Sequence, residues 1–176
     1  MSFKESLIKV LEQEGGYVND PLDSGGETYK GISRRWFPKW DGWAIIDSLD
    51  KNKLDNSMEL QEKVSNFYYK YFWESIKANE IRDKFIASML FNFSINMGKK
   101  VVVRKAQRVA KVTQDGIIGK NTLRAINTMN SELFVYHFLL EIIEFYIQIG
   151  KKQPHYLQGW LNRAISFYYC YEKLVK

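Results

Sequence analysis

The twenty residues from Glu14 to Ser33 cannot be helical. Gly15, Gly16, Asn19, Asp20, Pro21, Gly25, Gly26 and Gly31 fall among them, and that density of turn formers leaves room only for a loop built from turns. Upstream the pattern differs. On a helix over residues 2–14, Phe3, Leu7, Val10 and Leu11 share one stripe, Glu14 lands inside it and Glu12 lies opposite. The paired glycines then end the helix, because Gly tolerates the left-handed backbone of a C-terminal cap. Any fold must therefore accommodate one compact loop directly behind an acid at a helix end.

A carboxyl at the end of an apolar stripe is poorly solvated, so its charged form is disfavoured and its pKa is expected to rise. That suits a general acid working near neutral pH. The bare Gly15 and Gly16 would let a polymer approach it. The alternative is a last-turn glutamate that reaches out to water. The loop favours the first reading, since Asp23 follows Glu14 by nine positions and Thr28 follows Asp23 by five. Glycosidases need an acid to protonate the leaving oxygen and a second polar group to position water or steady the oxocarbenium-like centre.

Glu14-Gly15-Gly16-Tyr17, Asn19-Asp20-Pro21, Asp23, Gly25-Gly26, Thr28 and Gly31-Ile32 resemble the opening signature of glycoside hydrolase family 108. That family comprises phage and bacterial N-acetylmuramidases, and some of its members are called secretion activator proteins. The spacing is also close to the Glu, Asp, Thr set of phage-type lysozymes. The resemblance implies that Glu14 is the catalytic acid and that Asp23 and Thr28 carry the second role, with Tyr17 and Tyr29 binding or positioning the glycan. Leu90 to Gly98 is similar to the same family. Asn92 and Asn96, one helical turn apart, are expected to face the cleft as hydrogen-bonding groups for the sugar substituents. Asn96 reads equally well as a helix C-terminal residue.

The 176 residues suffice for one sizeable core, and 45% hydrophobic content with three prolines excludes a disordered chain. No apolar run is expected to span a membrane. Lys4, Glu5, Lys9 and Glu12 interrupt the N-terminal segment, so a cleavable secretory signal is not expected. The chain would then be made in the bacterial cytoplasm and reach the wall through a holin-type opening, a leaky membrane or another exporter. The single Cys170 sits among Phe167, Tyr168, Tyr169 and Tyr171 and reads as a buried structural thiol. His137 and His155 lie near no cysteine or acid cluster at ligand spacing, and Asp20, Asp23 and Glu27 miss the EF-hand spacing, so neither a metal nor another cofactor is expected.

Trp36, Phe37, Trp40 and Trp43, with Arg34 and Arg35, follow the loop. These rings could stack on sugar faces or close the core beside the loop. Residues 44–56 read as a connection. A helix capped by Asn56 or Ser57 then runs to about Trp73, and its last turns carry rings on every side. Further helices are expected over about 99–112, 132–149 and 156–173.

Between Lys99 and Arg124 eight basic residues stand against one acid, Asp115, in a chain of net charge +6. The pattern fits a solvated helix face or contact with a polyanion. Asp115-Gly116, Gly119 and Thr122-Leu123 resemble peptidoglycan-binding modules, with Lys120 at the place of the usual proline. The expected protein is all-α and lysozyme-like, with a catalytic lobe over 1–88, a helical peptidoglycan-binding-like lobe over 89–176 and the cleft between them. Peptidoglycan glycan strands are the expected partner, and the protein is expected to be a monomer. A non-catalytic wall-binding or secretion-associated protein is the alternative. Nucleic acid is not expected, since the basic segment has no groove-entering motif.

Overall fold

The computed structural model describes residues 1–19 and 26–176. The fold is mostly helical and lysozyme-like, with one small sheet. The chain forms two compact units, Ser2–Ser75 and Ile76–Lys176, with Met1 counted in the second.

In the first unit, helix α1 (Phe3–Leu11) starts in a capping box: the Ser2 hydroxyl accepts from the Glu5 N–H, and the Glu5 carboxylate accepts from the Ser2 N–H at 2.6 Å. Its apolar stripe buries Leu7 and Val10 and sets Phe3 against Tyr69 and Trp73. The helix stops at Leu11, three residues before the end that periodicity predicts, because the chain tightens into a turn in which the Gln13 N–H bonds the Val10 carbonyl. Glu14 therefore sits beyond the helix rather than on its stripe.

The segment read as turns alone also contains a three-stranded antiparallel sheet: β1 (Tyr17–Asn19), β2 (Glu27–Tyr29) and β3 (Ile32–Ser33). Tyr17 pairs with Tyr29, Val18 with Thr28, and Tyr29 with Ile32 across a two-residue turn. The central residues of that turn, Lys30 and Gly31, both have positive φ, the requirement of the type I′ hairpin.

The stretch read as a connection holds helix α2 (Gly42–Ser48) and a 3-10 segment, Lys51–Asn56. Helix α3 (Met58–Tyr68) is capped by the Ser57 hydroxyl and buries Leu60, Val64, Phe67 and Tyr68. It continues as a π-helical stretch, Tyr69–Glu74, in which Trp73 is enclosed.

The second unit is built on α4 (Lys84–Met97), whose residues from Phe85 to Ser94 are all buried. Asp83 caps it, accepting from the Phe85 and Ile86 N–H groups. Helix α5 (Lys99–Val109) buries Val102, Val103, Ala106 and Val109 and exposes Lys100, Arg104 and Arg108, as its periodicity predicts. Between α5 and α6 (Lys120–Thr128) the loop folds around one side chain, Gln107, which is fully buried. Its amide N–H groups reach Asp115, the Ile117 carbonyl and Thr122, and its carbonyl accepts from the Gly116 N–H.

Helices α7 (Ser131–Gly150) and α8 (Pro154–Val175) form an antiparallel pair. Tyr146 stacks on Trp160 near the connection, and the Tyr136 hydroxyl bonds Glu172 near the far end. Helix α7 is long and apolar enough to cross a membrane by length and composition alone. It also buries Phe134, Val135, Phe138, Leu139, Ile142 and Tyr146 within this unit and receives Lys105 on Glu141 at 2.8 Å. Cys170, expected to be buried, is exposed, because α8 turns Phe167 and Tyr171 inward to Phe85.

A leucine at position 107 is expected to lower the free energy of unfolding by about 3 kcal/mol, since it strands several buried partners at once. Urea unfolding of Gln107→Leu measures the loss, and an unchanged midpoint would remove Gln107 from its central role in the loop.

Candidate active site

Glu14 is half-buried, and the chain beside it explains why. Gly31 in the β2–β3 turn has φ +76°, and a Cβ there would stand 2.6 Å from Glu14 Oε2 and 2.8 Å from the Tyr68 hydroxyl. The carboxyl thus occupies the room left by a missing side chain, with a phenol on the other flank. The Tyr68 hydroxyl, inside the unit, donates to the Lys30 carbonyl at 2.8 Å. Burial, and then the negative charge of Glu14, push its pKa well above the ordinary tyrosine value, so it stays a neutral donor.

Lys30 holds a positive φ of 45°, which is costly for a residue with a Cβ. Its surroundings fix it four times. The Lys30 N–H bonds the Gly16 carbonyl at 3.2 Å and its own carbonyl accepts from the Tyr68 hydroxyl. Its ammonium reaches Gln61 at 2.7 Å and Asp55 at 3.2 Å. Tyr29 joins the same network, donating to Asp55 at 3.0 Å and accepting from Gln61 at 2.9 Å.

Two of the residues expected at the glycan have other surroundings. Tyr29 is fully enclosed, its pKa pushed up to about 12 by burial, and it ties the sheet to α3 instead of presenting a ring to a sugar. Tyr17 is half-buried and donates to Glu27 at 2.8 Å, with Lys51 over its ring. Glu27 in turn meets Arg34 Nε at 2.6 Å, and Arg34 forks onto Asp47 at 2.6 and 3.1 Å while lying over the Trp43 ring. That chain of groups fastens β1 and β2 to α2.

Thr28 is half-buried on β2, two positions before the Lys30 of the turn that meets Glu14. Strand alternation points it to the face opposite Tyr29, alongside Val18 and Ser33. Asp23 lies outside the described residues. Asn92 and Asn96 belong to the second unit. Asn92 is buried, with Arg163 at 3.5 Å, whereas Asn96 is exposed and donates to the Asn92 carbonyl, one turn back on α4. Among the described residues no group of three or more His, Cys, Asp or Glu could hold a metal ion.

The sequence reading names Gly31 only as a turn former and part of the opening signature, and does not single out Tyr68. A Lys-Gly pair between Tyr29 and Ile32 is a hairpin signal that could have found Gly31. Nothing in the ring-rich run distinguishes Tyr68 from Tyr69 or Tyr71.

The arrangement defines a helical, lysozyme-like protein with a half-sheltered carboxyl at a hairpin turn. Residues 7–98 match the family model Glycosyl hydrolase 108, more than half of the chain, and the protein belongs to that family. Residues 100–165 match a second model, the Predicted Peptidoglycan domain. Among solved structures, that of SagA from Brucella abortus is similar in fold, with a TM-score of 0.64, 22% identity and 94% of each chain covered. No curated protein matches the chain significantly. A peptidoglycan-related hydrolase or binder is what these matches support.

Two outcomes follow. Gly31→Ala strains a left-handed backbone and drives a methyl into Glu14 and Tyr68, so it is expected to cost about 1–3 kcal/mol of stability, read by thermal unfolding. Activity unchanged in that variant would show that the turn does not position the acid.

The second outcome concerns pH. The Arg34 fork holds the Asp47 carboxyl below its ordinary value; burial alone would raise Asp55, but bonds from Tyr29 and Lys30 outweigh it and hold Asp55 low as well. With folded values below the unfolded value of about 3.9, their stabilisation is complete above that pH and is lost as pH falls through the depressed values. Melting midpoints should therefore drop between about pH 5 and pH 2, with less of a drop in Asp47→Asn.

Proposed function

We propose that the protein is a lysozyme-type N-acetylmuramidase that hydrolyses the β-1,4 bond after N-acetylmuramic acid in peptidoglycan. The observation that carries this reading is the Glu14 carboxyl, half-sheltered against Gly31 and beside the neutral Tyr68 hydroxyl, in the segment that matches the hydrolase family. In this reading Glu14 protonates the glycosidic oxygen as the bond to the anomeric carbon breaks. Asp23 and Thr28 orient the attacking water or stabilise the oxocarbenium-like centre. The sheet and α3 keep the carboxyl in place, since Lys30 is held from four directions.

The region matching the Predicted Peptidoglycan domain supports the wall as partner and also sustains a second reading, a wall-binding or secretion-associated protein that does not hydrolyse. Under either reading the protein acts at the cell wall, which under the first it reaches from the cytoplasm by holin-type or other release.

Glu14→Gln keeps the shape of the side chain and removes the transferable proton. Loss of reducing-end release from purified peptidoglycan by at least about 100-fold, with circular dichroism unchanged, is the expected result. Wild-type rates in that variant would overturn the role of Glu14. Absence of hydrolysis by the native protein, with sedimentation on the wall retained, would favour the binding reading.

A further inference from the structure

Helix α3 and the π-helical stretch that continues it present a second feature next to Tyr68. Lys63, Asn66, Phe67, Lys70 and Tyr71 recur at helical spacing and form one wall of a groove of about 550 Å³. The 36–41 segment forms the other. Its floor is a set of rings that hold one another: Phe37 meets Phe67 and Tyr71 edge-on at 4.7 and 5.1 Å, Phe67 stacks on Tyr71 at 4.7 Å, and Trp40 leans on Phe67 and Trp43. Gly42 makes this possible, since a Cβ there would penetrate the Trp40 ring at 2.3 Å. The volume falls in the range of small-ligand sites.

Trp36 stands apart from that floor. It is 70% exposed, whereas Trp43 and Trp73 are 4% and 2% exposed, and Tyr71 beside it is 48% exposed. Large rings left in water at the rim of a preformed groove are an interaction surface. The charge is one-sided. Lys63 is paired with Asp41 at 2.7 Å, but Lys39 and Lys70 have no acidic partner among the described residues. Flat rings that can take the C–H face of a sugar, an amide at Asn66 and two uncommitted ammonium groups together fit a saccharide that carries carboxylates. A purely apolar peptide or a neutral glycan would leave the lysines unused.

We propose that this groove is a second saccharide-binding site, apart from the Glu14 carboxyl, that holds a carboxylate-bearing stretch of peptidoglycan with Trp36 and Tyr71 as stacking platforms and Lys39 and Lys70 as the anion contacts. The choice of polymer rests on the functional reading above; the groove itself does not depend on hydrolysis. Phe67 on its floor contacts Tyr68 at 5.5 Å, so the site lies one ring away from the phenol that flanks the acid. A strand held there would be retained near the catalytic carboxyl between cuts.

The test uses the full chain in the Glu14→Gln background, so that the wall is not digested, and measures co-sedimentation with purified sacculi stripped of attached anionic polymers. Trp36→Ala should weaken binding about 10-fold, Trp36→Tyr less than about 3-fold because a platform remains, and Lys39→Gln with Lys70→Gln should weaken it and flatten its salt dependence. Trp36 is exposed, and circular dichroism should show all variants folded. Affinity unchanged in both Trp36→Ala and the lysine pair would overturn the proposal, as would binding confined to sacculi that retain their phosphate-bearing polymers. Trp36-dependent binding by a native protein that releases no reducing ends would sustain the groove and refute the hydrolytic reading; hydrolysis with binding unchanged in both Trp36→Ala and the lysine pair would do the reverse.

Discussion

The contact on which the first unit depends is the meeting of Glu14, Gly31 and Tyr68 at the Lys30–Gly31 turn. A carboxyl can be sheltered there only because position 31 has no side chain, and the turn exists only because both its residues accept positive φ. Lys30 would not choose that conformation. It is kept there by the Gly16 carbonyl, the Tyr68 hydroxyl, Gln61 and Asp55, so the strain at the turn is opposed from the residue before β1, from α3 and from the 3-10 segment together.

Much of the helical architecture is legible from periodicity. The Ser57 cap, the ring-rich end of α3, the basic outer face of α5 and the long apolar α7 all follow from residue spacing. The candidate site is legible in part. The Glu-Gly-Gly segment and its turn-rich continuation point to residue 14, but the reason first given, a place on the apolar stripe of α1, is not the one the structure provides. That helix ends at Leu11, and the shelter comes from the hairpin turn at Gly31, seventeen residues after Glu14. Strands of three, three and two residues are too short to show an alternation that a window can detect. Tyr29 illustrates the same limit from the other side. Its position in a functional motif suggests a sugar platform, yet register pairs it with Tyr17 and turns it into the Asp55–Gln61 network. Side-chain direction is a tertiary property, and no spacing rule contains it.

The basic segment shows how composition overstates a charged surface. Lys105, one of the eight cations from Lys99 to Arg124, is mostly buried against Glu141, which Arg108 also approaches at 3.4 Å. What remains exposed on α5 is Lys100, Arg104 and Arg108, a helix face suited to weak, salt-sensitive attraction to an acidic polymer. The groove at Trp36 has fewer charges but a shape, and shape with charge is what recognition of one polymer requires. Attraction over α5 and fitting at Trp36 are separable properties of the two units.

The central claim is that the sheltered Glu14 carboxyl serves cleavage on the reducing side of muramic acid. The most direct measurement is mass spectrometry of the new ends released from purified peptidoglycan by the native protein. Fragments ending in N-acetylmuramic acid are predicted. Ends in N-acetylglucosamine, or peptide cleavage with intact glycan, would contradict the account.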